Sequence, residues 1–160
     1  MQIYLLRHGI AEDAHAGQSD ADRALTQEGR EKLRRVLKRA EAAGVELDEL
    51  LSSPLRRAIE TAEEAANVLH FHGKIVRTKS LTPDASAVDV WEEIRARREV
   101  SALLLASHEP LMSSTVAFLL DSPALQVDMK KAALVRVDCD RFAPQPRGVL
   151  KWMLTPGVCD

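Results

Sequence analysis

An apolar run at residues 3–6 breaks directly into Arg7, His8 and Gly9, and no other stretch constrains the fold as strongly. Four consecutive apolar residues predict a strand that is buried on both faces, as in a parallel sheet. Ligands of open α/β sheets bind at the carboxyl edge of the strands, where the guanidinium and the imidazole follow. This pair favours an anionic ligand, phosphate above all, and Gly9 allows the backbone to pass close to it without a Cβ clash.

A second apolar run, residues 102–106, is followed by Ser107 and His108. Parallel strands present their carboxyl ends at one edge of the sheet, so we expect His108 to project at the same edge as His8. A neutral imidazole is a competent nucleophile at pH 7, because its pKa is about 6.5. Phosphoryl transfer also needs positive donors around three equatorial oxygens, so arginines must complete such a site.

One such arginine follows the strand predicted at residues 48–52. Ser53 is the expected N-cap of the next helix, and Pro54 is its expected first residue. Arg57 then lies in the first turn, beside unpaired backbone N–H groups that attract anions. The candidates for a phosphate shell are therefore Arg7, Arg57, His108 and, in the loop predicted over residues 10–24, Arg23.

The rest of the sequence alternates strand and helix patterns. A helix is predicted after Thr26, its expected N-cap, and another over residues 87–98. Two further strands, residues 132–137 and 149–154, are separated by a stretch that contains Pro and Gly, and they predict an antiparallel hairpin at the sheet edge. This order predicts a single α/β domain over residues 1–160, built as a three-layer α/β/α sandwich with a mostly parallel sheet.

Composition and charge exclude several classes of protein. Of the 160 residues, 46% are hydrophobic and 29% are charged, and the net charge is −2, so nothing attracts the whole chain to nucleic acid or acidic membranes. No apolar stretch approaches the roughly 20 residues that cross a bilayer, and no secretory signal is recognisable. We therefore expect a cytoplasmic protein with neither nucleic acid nor membrane as a partner, and a monomer. His70 and His72 have no acidic or cysteine partner at a suitable spacing, so no metal site is predicted.

Four motifs occur in a fixed order along the chain. They are Leu6-Arg7-His8-Gly9, Leu25-Thr26-Gln27-Glu28-Gly29, residues 52–62 (SSPLRRAIETA) and Ser107-His108-Glu109-Pro110. Together they resemble the histidine phosphatase superfamily, also called the phosphoglycerate-mutase-like family, from the start of the chain to about Leu111. The short length, the Leu81-Thr82-Pro83 segment and the tail at residues 152–156 are most similar to the SixA branch, the protein phosphohistidine phosphatases.

The resemblance implies the histidine phosphatase fold and a role for each motif residue. His8 matches the nucleophile, which becomes phosphohistidine during turnover. Arg57, rather than Arg56, matches a phosphate-binding arginine because Ala58 and Thr61 follow it at the family spacing. The other matches are Arg7 as a second phosphate-binding arginine, His108 as the second histidine of the phosphate pocket, and Arg23 as an additional arginine of the SixA branch. The family needs neither a metal nor an organic cofactor.

The general acid is where the sequence departs from the family pattern. Many relatives place a Glu or Asp after the second helix to protonate the leaving oxygen, and here Asp84 is the nearest candidate, with Asp89 and Glu109 as weaker ones. An alkoxide with a pKa near 15 needs a proton donor worth roughly 10²–10⁴ in rate. An imidazole, with a pKa of about 6.5, leaves with little help. The weak acid position is therefore compatible with a phosphohistidine substrate.

Three functions follow as hypotheses. The first is a protein phosphohistidine phosphatase that works through a covalent phospho-His8 intermediate on a phosphotransfer domain of His–Asp relay signalling. The second is a small-molecule phosphate-ester phosphatase that uses the same histidine. The third is a non-catalytic module that binds phosphoproteins.

Overall fold

The computed structural model describes residues 1–159, which form one six-stranded sheet and four α-helices. The helices are α1 (Gln27–Ala42), α2 (Arg56–Val68), α3 (Ala87–Arg95) and α4 (Leu111–Leu119). The strands are β1 (Gln2–Arg7), β2 (Glu49–Ser52), β3 (Ile75–Arg77), β4 (Ala102–Ser107), β5 (Leu134–Asp138) and β6 (Val149–Leu154). The sheet order is β3-β2-β4-β1-β5-β6. The first four strands are parallel and β5 is antiparallel to both neighbours, which confirms the predicted hairpin edge.

The helices cover both faces of the sheet, as predicted for a three-layer sandwich. On one face, Ile3 and Leu5 of β1 share a core cluster with buried side chains of α3 and α4. On the other face, Tyr4 and Leu6 share a cluster with buried side chains of α1 and α2. Alternate residues of β1 therefore pack into two separate cores, which explains why the strand is apolar from Ile3 to Leu6. No helix within residues 1–159 combines the length and the apolar character needed to cross a membrane.

Helix α1 begins as predicted and approaches the segment after β1 very closely. The Thr26 hydroxyl accepts a hydrogen bond from the Gly29 backbone N–H at 2.9 Å, which identifies Thr26 as the N-cap. A Cβ atom placed on Gly29 would lie 2.2 Å from the carbonyl oxygen of Ile10. The glycine of the second motif therefore lets the first turn of α1 pack directly against the backbone that follows His8.

Replacement of Gly29 by alanine is expected to lower the free energy of unfolding by about 1–3 kcal/mol, the scale of an overpacked site. The reason is that the new Cβ would meet the carbonyl oxygen and the nitrogen of Ile10. Both are backbone atoms, and they can move only if the whole segment after β1 moves. Gly157→Ala is the matched control, since a Cβ there meets nothing within 4 Å. Urea unfolding of both variants measures the difference, and equal stability of the two variants would contradict the packing argument.

Two sequence predictions about helices are wrong. Helix α2 begins at Arg56 with Leu55 in the N-cap position, so Ser53 is not the cap and Pro54 is not the first helical residue. Instead the Ser53 hydroxyl lies 2.7 Å from Nε2 of His108 and accepts a longer hydrogen bond, 3.3 Å, from the Leu55 N–H. The third helix ends at Arg95, three residues earlier than predicted.

The buried face of α2 also differs from its apolar spacing. The apolar spacing predicts a buried stripe made of Leu55, Ile59, Ala62, Ala66 and Leu69. Ala62 and Leu69 are buried, whereas the other three are only half-buried. The helix also buries small and polar side chains outside the predicted stripe, Arg57, Ala58, Thr61, Glu64 and Ala65. Hydrogen bonds offset the desolvation of the buried polar side chains. Glu64, for example, receives hydrogen bonds from Arg30 and Arg34 of α1. The ion pairs of Glu64 and the burial of Arg57 thus determine which face of α2 is turned towards the protein interior.

Candidate active site

The two histidines lie side by side at the carboxyl edge of the sheet. His8 directly follows β1, and its backbone N–H donates to the Ser107 carbonyl of the neighbouring strand at 2.9 Å. The ring centroids of His8 and His108 are 5.2 Å apart. Only 8% of His8 and 2% of His108 are exposed, so both imidazoles lie at the bottom of any site that opens here.

His8 is held in the form that a nucleophile requires. Its Nδ1 lies 2.7 Å from the carbonyl oxygen of Gly9. A carbonyl oxygen only accepts, so Nδ1 carries the proton and Nε2 keeps a free lone pair. Burial lowers the pKa of His8 to about 4, and the charges of Arg57 and Arg7 act in the same direction. The imidazole is therefore neutral at pH 7.

His108 is also neutral, and one of its nitrogens is left over. Its Nε2 lies 2.7 Å from the Ser53 hydroxyl, which fixes the ring. Burial, followed by the neighbouring His8 and Arg57, lowers the pKa of His108 to about 3. The other nitrogen, Nδ1, is buried without a hydrogen-bond partner.

Arg7 and Arg57 show the same pattern of partial satisfaction. Arg7 donates from Nη1 to the Met129 carbonyl at 2.7 Å. Arg57 donates from Nη1 to the Asp20 carbonyl at 3.0 Å and from Nη2 to the Asp20 carboxylate at 3.2 Å. In both residues Nε is buried without a partner.

Three buried nitrogens without partners therefore belong to residues that the sequence assigns to a phosphate shell: Nε of Arg7, Nε of Arg57 and Nδ1 of His108. A buried polar atom without a partner costs about 1–3 kcal/mol, so three such nitrogens need a reason. Positive charge and free N–H groups around one neutral imidazole form an anion site. A tetrahedral oxyanion against His8 would satisfy the two arginine N–H groups. It would also accept from Nδ1 of His108 in the tautomer in which the Ser53 hydroxyl donates to Nε2.

Hydrogen bonds to two other parts of the chain, α2 and the segment before β5, hold the backbone of this site in place. The Thr61 hydroxyl accepts from the Gly9 N–H at 3.1 Å and donates to the Arg57 carbonyl at 2.7 Å, which joins β1 to α2. The Ala132 N–H donates to the His8 carbonyl at 3.1 Å, and the Arg7 N–H donates to the Ala133 carbonyl at 3.0 Å. The segment just before β5 thus braces the backbone of both motif residues.

Gly9 and Arg23 are placed near the site, but the structure does not bring them to it in the predicted way. A Cβ on Gly9 would lie 3.2 Å from the Gly29 carbonyl oxygen, so the close approach it permits is to α1. Arg23 donates from Nε to the Asp20 carboxylate at 2.9 Å and from Nη1 to the Glu12 carbonyl at 2.8 Å. One carboxylate, Asp20, therefore separates Arg23 from Arg57, and the direct ligand roles of Gly9 and Arg23 stay predictions.

Two of the three general-acid candidates, Asp84 and Asp89, have a lowered pKa. Asp84 is exposed, and its pKa is lowered by a hydrogen bond from the Thr82 hydroxyl. Asp89 completes a capping box with Ser86 at the start of α3, which also lowers its pKa. Glu109 accepts from the Ser113 N–H at 2.7 Å. A general acid at neutral pH needs a raised pKa, whereas the pKa of Asp84 is lowered. The role of Asp84 as the acid stays a prediction.

Side chains that bind metals are dispersed across the described part of the chain. Within residues 1–159, no group of three or more His, Cys, Asp or Glu side chains could hold a metal ion. His70 lies 2.8 Å from Glu41 instead. Cys139 is buried and Cys159 is half-buried, and the two do not form a disulfide bond.

The two lowered histidine pKa values predict a stability that depends on pH. The unfolded chain, with histidine pKa values of about 6.5, binds more protons than the folded chain at mildly acidic pH. The free energy of unfolding should therefore fall as the pH drops from about 6.5 towards 4, by up to about 1.4 kcal/mol per pH unit for each histidine. Urea unfolding at several pH values tests this. The double variant His8→Asn, His108→Asn should flatten the dependence, and an unchanged slope would contradict it.

Comparison with known proteins agrees with this site. Residues 3–82, half of the chain, match the family model of the histidine phosphatase superfamily (branch 1). An uncharacterized protein of Picosynechococcus sp. (strain ATCC 27264 / PCC 7002 / PR-6) is 30% identical over 139 residues, 84% of this chain and 83% of the relative. Phosphohistidine phosphatase SixA of Escherichia coli (strain K12) is 29% identical over 160 residues, 98% of this chain and 94% of that protein.

A solved structure extends the likeness to the whole fold. The structure of the protein histidine phosphatase SixA complexed with tungstate superimposes with a TM-score of 0.87 at 28% identity, and the match covers 100% of both chains. The family model spans β1 to the segment after β3, and the superposition adds β4 with His108 and the β5–β6 hairpin. The chain therefore belongs to the histidine phosphatase superfamily and is a phosphatase of the SixA type.

Proposed function

We propose that this protein hydrolyses phosphohistidine on a partner protein through a covalent phospho-His8 intermediate, within His–Asp phosphorelay signalling. One observation carries the chemistry. A neutral imidazole with a free Nε2 lies among three buried nitrogens that lack partners, on Arg7, Arg57 and His108. The relative named phosphohistidine phosphatase SixA supports the choice of substrate.

In the first step, Nε2 of His8 attacks the phosphorus and the bond from phosphorus to the substrate breaks. Arg7, Arg57 and His108 hold the equatorial oxygens, whose negative charge persists through the transition state. The Nδ1–H of His8 stays on the Gly9 carbonyl, which stabilises the positive charge that the ring acquires when Nε2 is phosphorylated.

In the second step, water attacks the phosphorus of phospho-His8 and the bond to Nε2 breaks. The bonding pair returns to Nε2, so His8 leaves as the neutral ring from which it started, and the water protons stay on the phosphate product. No group has to protonate His8, because its Nδ1 kept a proton throughout. The Gly9 carbonyl thus serves both halves of the reaction.

The carboxyl groups favour a substrate whose leaving group needs no strong acid. Within residues 1–159, every carboxyl group with a clear pKa shift has its pKa lowered. An ionised carboxylate cannot protonate an alkoxide leaving group. Hydrolysis of an alkyl phosphate therefore lacks the rate factor of roughly 10²–10⁴ that a general acid supplies. Phosphohistidine avoids this loss, whereas an alkyl phosphate does not.

A substrate comparison tests the proposal. A phosphotransfer domain labelled with ³²P on histidine, an alkyl phosphate such as phosphoserine, and 4-nitrophenyl phosphate, whose leaving group is acidic, are hydrolysed side by side. We expect kcat/KM to be at least about 10²-fold higher for the phosphohistidine protein than for phosphoserine, because only the alkoxide needs an acid. 4-Nitrophenyl phosphate, with its good leaving group, should also react.

Two outcomes would overturn the proposal in different ways. A higher kcat/KM on alkyl phosphates that is lost in Asp84→Asn would identify a small-molecule ester phosphatase with Asp84 as its acid. Tight phosphate binding without turnover of any substrate would identify a binding module. Asp140→Asn, a change in another exposed carboxylate, is the control for Asp84→Asn.

A further inference from the structure

Asp20 is a charged residue at the site that no motif includes. It opens a short 3₁₀ helix, Asp20–Asp22, in the loop after β1. Its backbone carbonyl and its carboxylate both receive hydrogen bonds from the buried Arg57. Yet 62% of the Asp20 side chain is exposed, against 6% of the Arg57 side chain. Asp20 therefore marks the boundary between the phosphate shell and solvent.

The carboxylate of Asp20 is not saturated by its neighbours. Oδ1 receives both Nε and Nη2 of Arg23, at 2.9 and 2.8 Å. Oδ2 receives only Nη2 of Arg57, at 3.2 Å. A carboxylate offers about four acceptor positions, so Oδ2 keeps one for a further donor.

In-line displacement relates this boundary to the leaving group. The attacking and leaving atoms lie on opposite sides of the phosphorus. His8 is only 8% exposed, so a leaving group opposite its Nε2 extends towards solvent, and the Asp20 side chain, 62% exposed, lies on the solvent side of Arg57. A group on the leaving side that accepts hydrogen bonds suits a leaving group that carries an N–H.

Phosphohistidine is such a substrate, provided that its second ring nitrogen is protonated. The pair of electrons from the broken P–N bond goes to the ring, which then leaves as a neutral imidazole with one N–H. Without that proton the ring would have to leave as an imidazolate, a far stronger base. The enzyme solves the same problem for His8 by holding its Nδ1–H on the Gly9 carbonyl.

We infer that Asp20 binds the N–H of the substrate ring and keeps phosphohistidine in its protonated, reactive form. This inference rests on the proposed function and makes Asp20 a residue that determines specificity. Asp20 acts as an anion and transfers no proton. It therefore stabilises a cationic phosphoimidazole but does not accelerate the hydrolysis of a phosphate ester. The charged groups that face Asp20 are Arg23 and Arg57, and the neutral His108 lies nearby. Burial raises the pKa of Asp20 slightly, but the hydrogen bonds and charges of the two arginines outweigh this effect and keep the carboxylate ionised.

Asp20→Asn is the test, because it removes the charge and keeps the shape. We expect kcat/KM for the phosphohistidine protein to fall by about 10–100-fold at pH 8, the value of a hydrogen bond to a charged group. The alkaline limb of the pH profile should move to lower pH, because the substrate ring loses its proton more easily. Hydrolysis of 4-nitrophenyl phosphate should change by less than about 3-fold, because its leaving oxygen bears no proton to donate.

Controls separate this role from simple positioning of Arg57. Asp22→Asn changes the other carboxylate of the same turn and should leave both substrates unaffected, while Asp20→Glu should restore part of the loss. Thermal unfolding and the inhibition constant of inorganic phosphate report on the fold and on Arg57. Equal losses on both substrates would show that Asp20 only orients Arg57, and no loss would show that it is idle. Either result overturns the inference. A wild-type protein inactive on phosphohistidine would refute the proposed function, and this inference with it.

Discussion

Replacement of His8 by alanine is expected to lower kcat by at least about 10³-fold on every phosphorylated substrate, the scale seen when a covalent catalyst loses its nucleophile. The neutral ring, with Nδ1–H on the Gly9 carbonyl, cannot be replaced by a water molecule that lacks its basicity and its position. Release of ³²P-labelled phosphate measures the loss. Rapid acid-free quenching of the wild-type protein should trap a phosphoryl group that is stable to base and labile to acid.

A second histidine in the neighbouring loop provides the control for this prediction. His15 is exposed, and its ring lies 3.2 Å from the Ala16 carbonyl in the same loop, so His15→Ala should keep full activity and the same labelled intermediate. Mapping of the label by mass spectrometry should place it on His8. A label on another residue, or full turnover by His8→Ala, would contradict the mechanism.

Arg57→Lys is expected to lower kcat/KM by about 10²–10³-fold although it keeps the charge. Arg57 uses two nitrogens to hold the loop through Asp20 and leaves a third, Nε, buried and without a partner. A lysine ammonium has one nitrogen and cannot serve both purposes at once. The inhibition constants of phosphate and tungstate should rise together with the loss of activity.

The adjacent arginine gives a matched control. Arg56 is 54% exposed and pairs with Glu60 along the outside of α2, so Arg56→Lys should change kcat/KM by less than about 3-fold. This pair of variants compares the same substitution at neighbouring positions of one helix. Equal effects at both positions would mean that general charge near the site, rather than the geometry of Arg57, supports phosphate binding.

The parts of the site that lie on regular elements could be predicted from the sequence. The apolar runs before His8 and Ser107 predict two buried strands, and the parallel pairing of Arg7 with Ser107 follows once both strands share a sheet. The motif spacing correctly places Arg57 in the first turn of α2. These predictions succeed because local pattern and global position depend on the same residues.

The features that the sequence did not predict, or predicted wrongly, depend on contacts between distant segments. Ser53 has the residue type of an N-cap, but His108 competes for its hydroxyl, and that competitor lies 55 residues away. Asp20 reads as one polar residue among many in a loop, and only the fold shows that it pairs with Arg57. The Met129 carbonyl that orients Arg7 has no side-chain signature at all. Propensity and spacing carry no information about such partners.

The central place of β1 in the sheet has a consequence for how the enzyme is made. Gln2 pairs with Ala102 on one side and with Asp138 on the other, so the strand that leads to His8 emerges from the ribosome long before either neighbour exists. Its apolar side chains cannot be fully buried until residue 138 has been translated. Because this pairing is late and non-local, we expect folding to be slow. A nascent or truncated chain therefore exposes an apolar amino-terminal strand to chaperones but has no working phosphatase site. We therefore expect phosphatase activity only after β5 has been synthesised and has paired with β1.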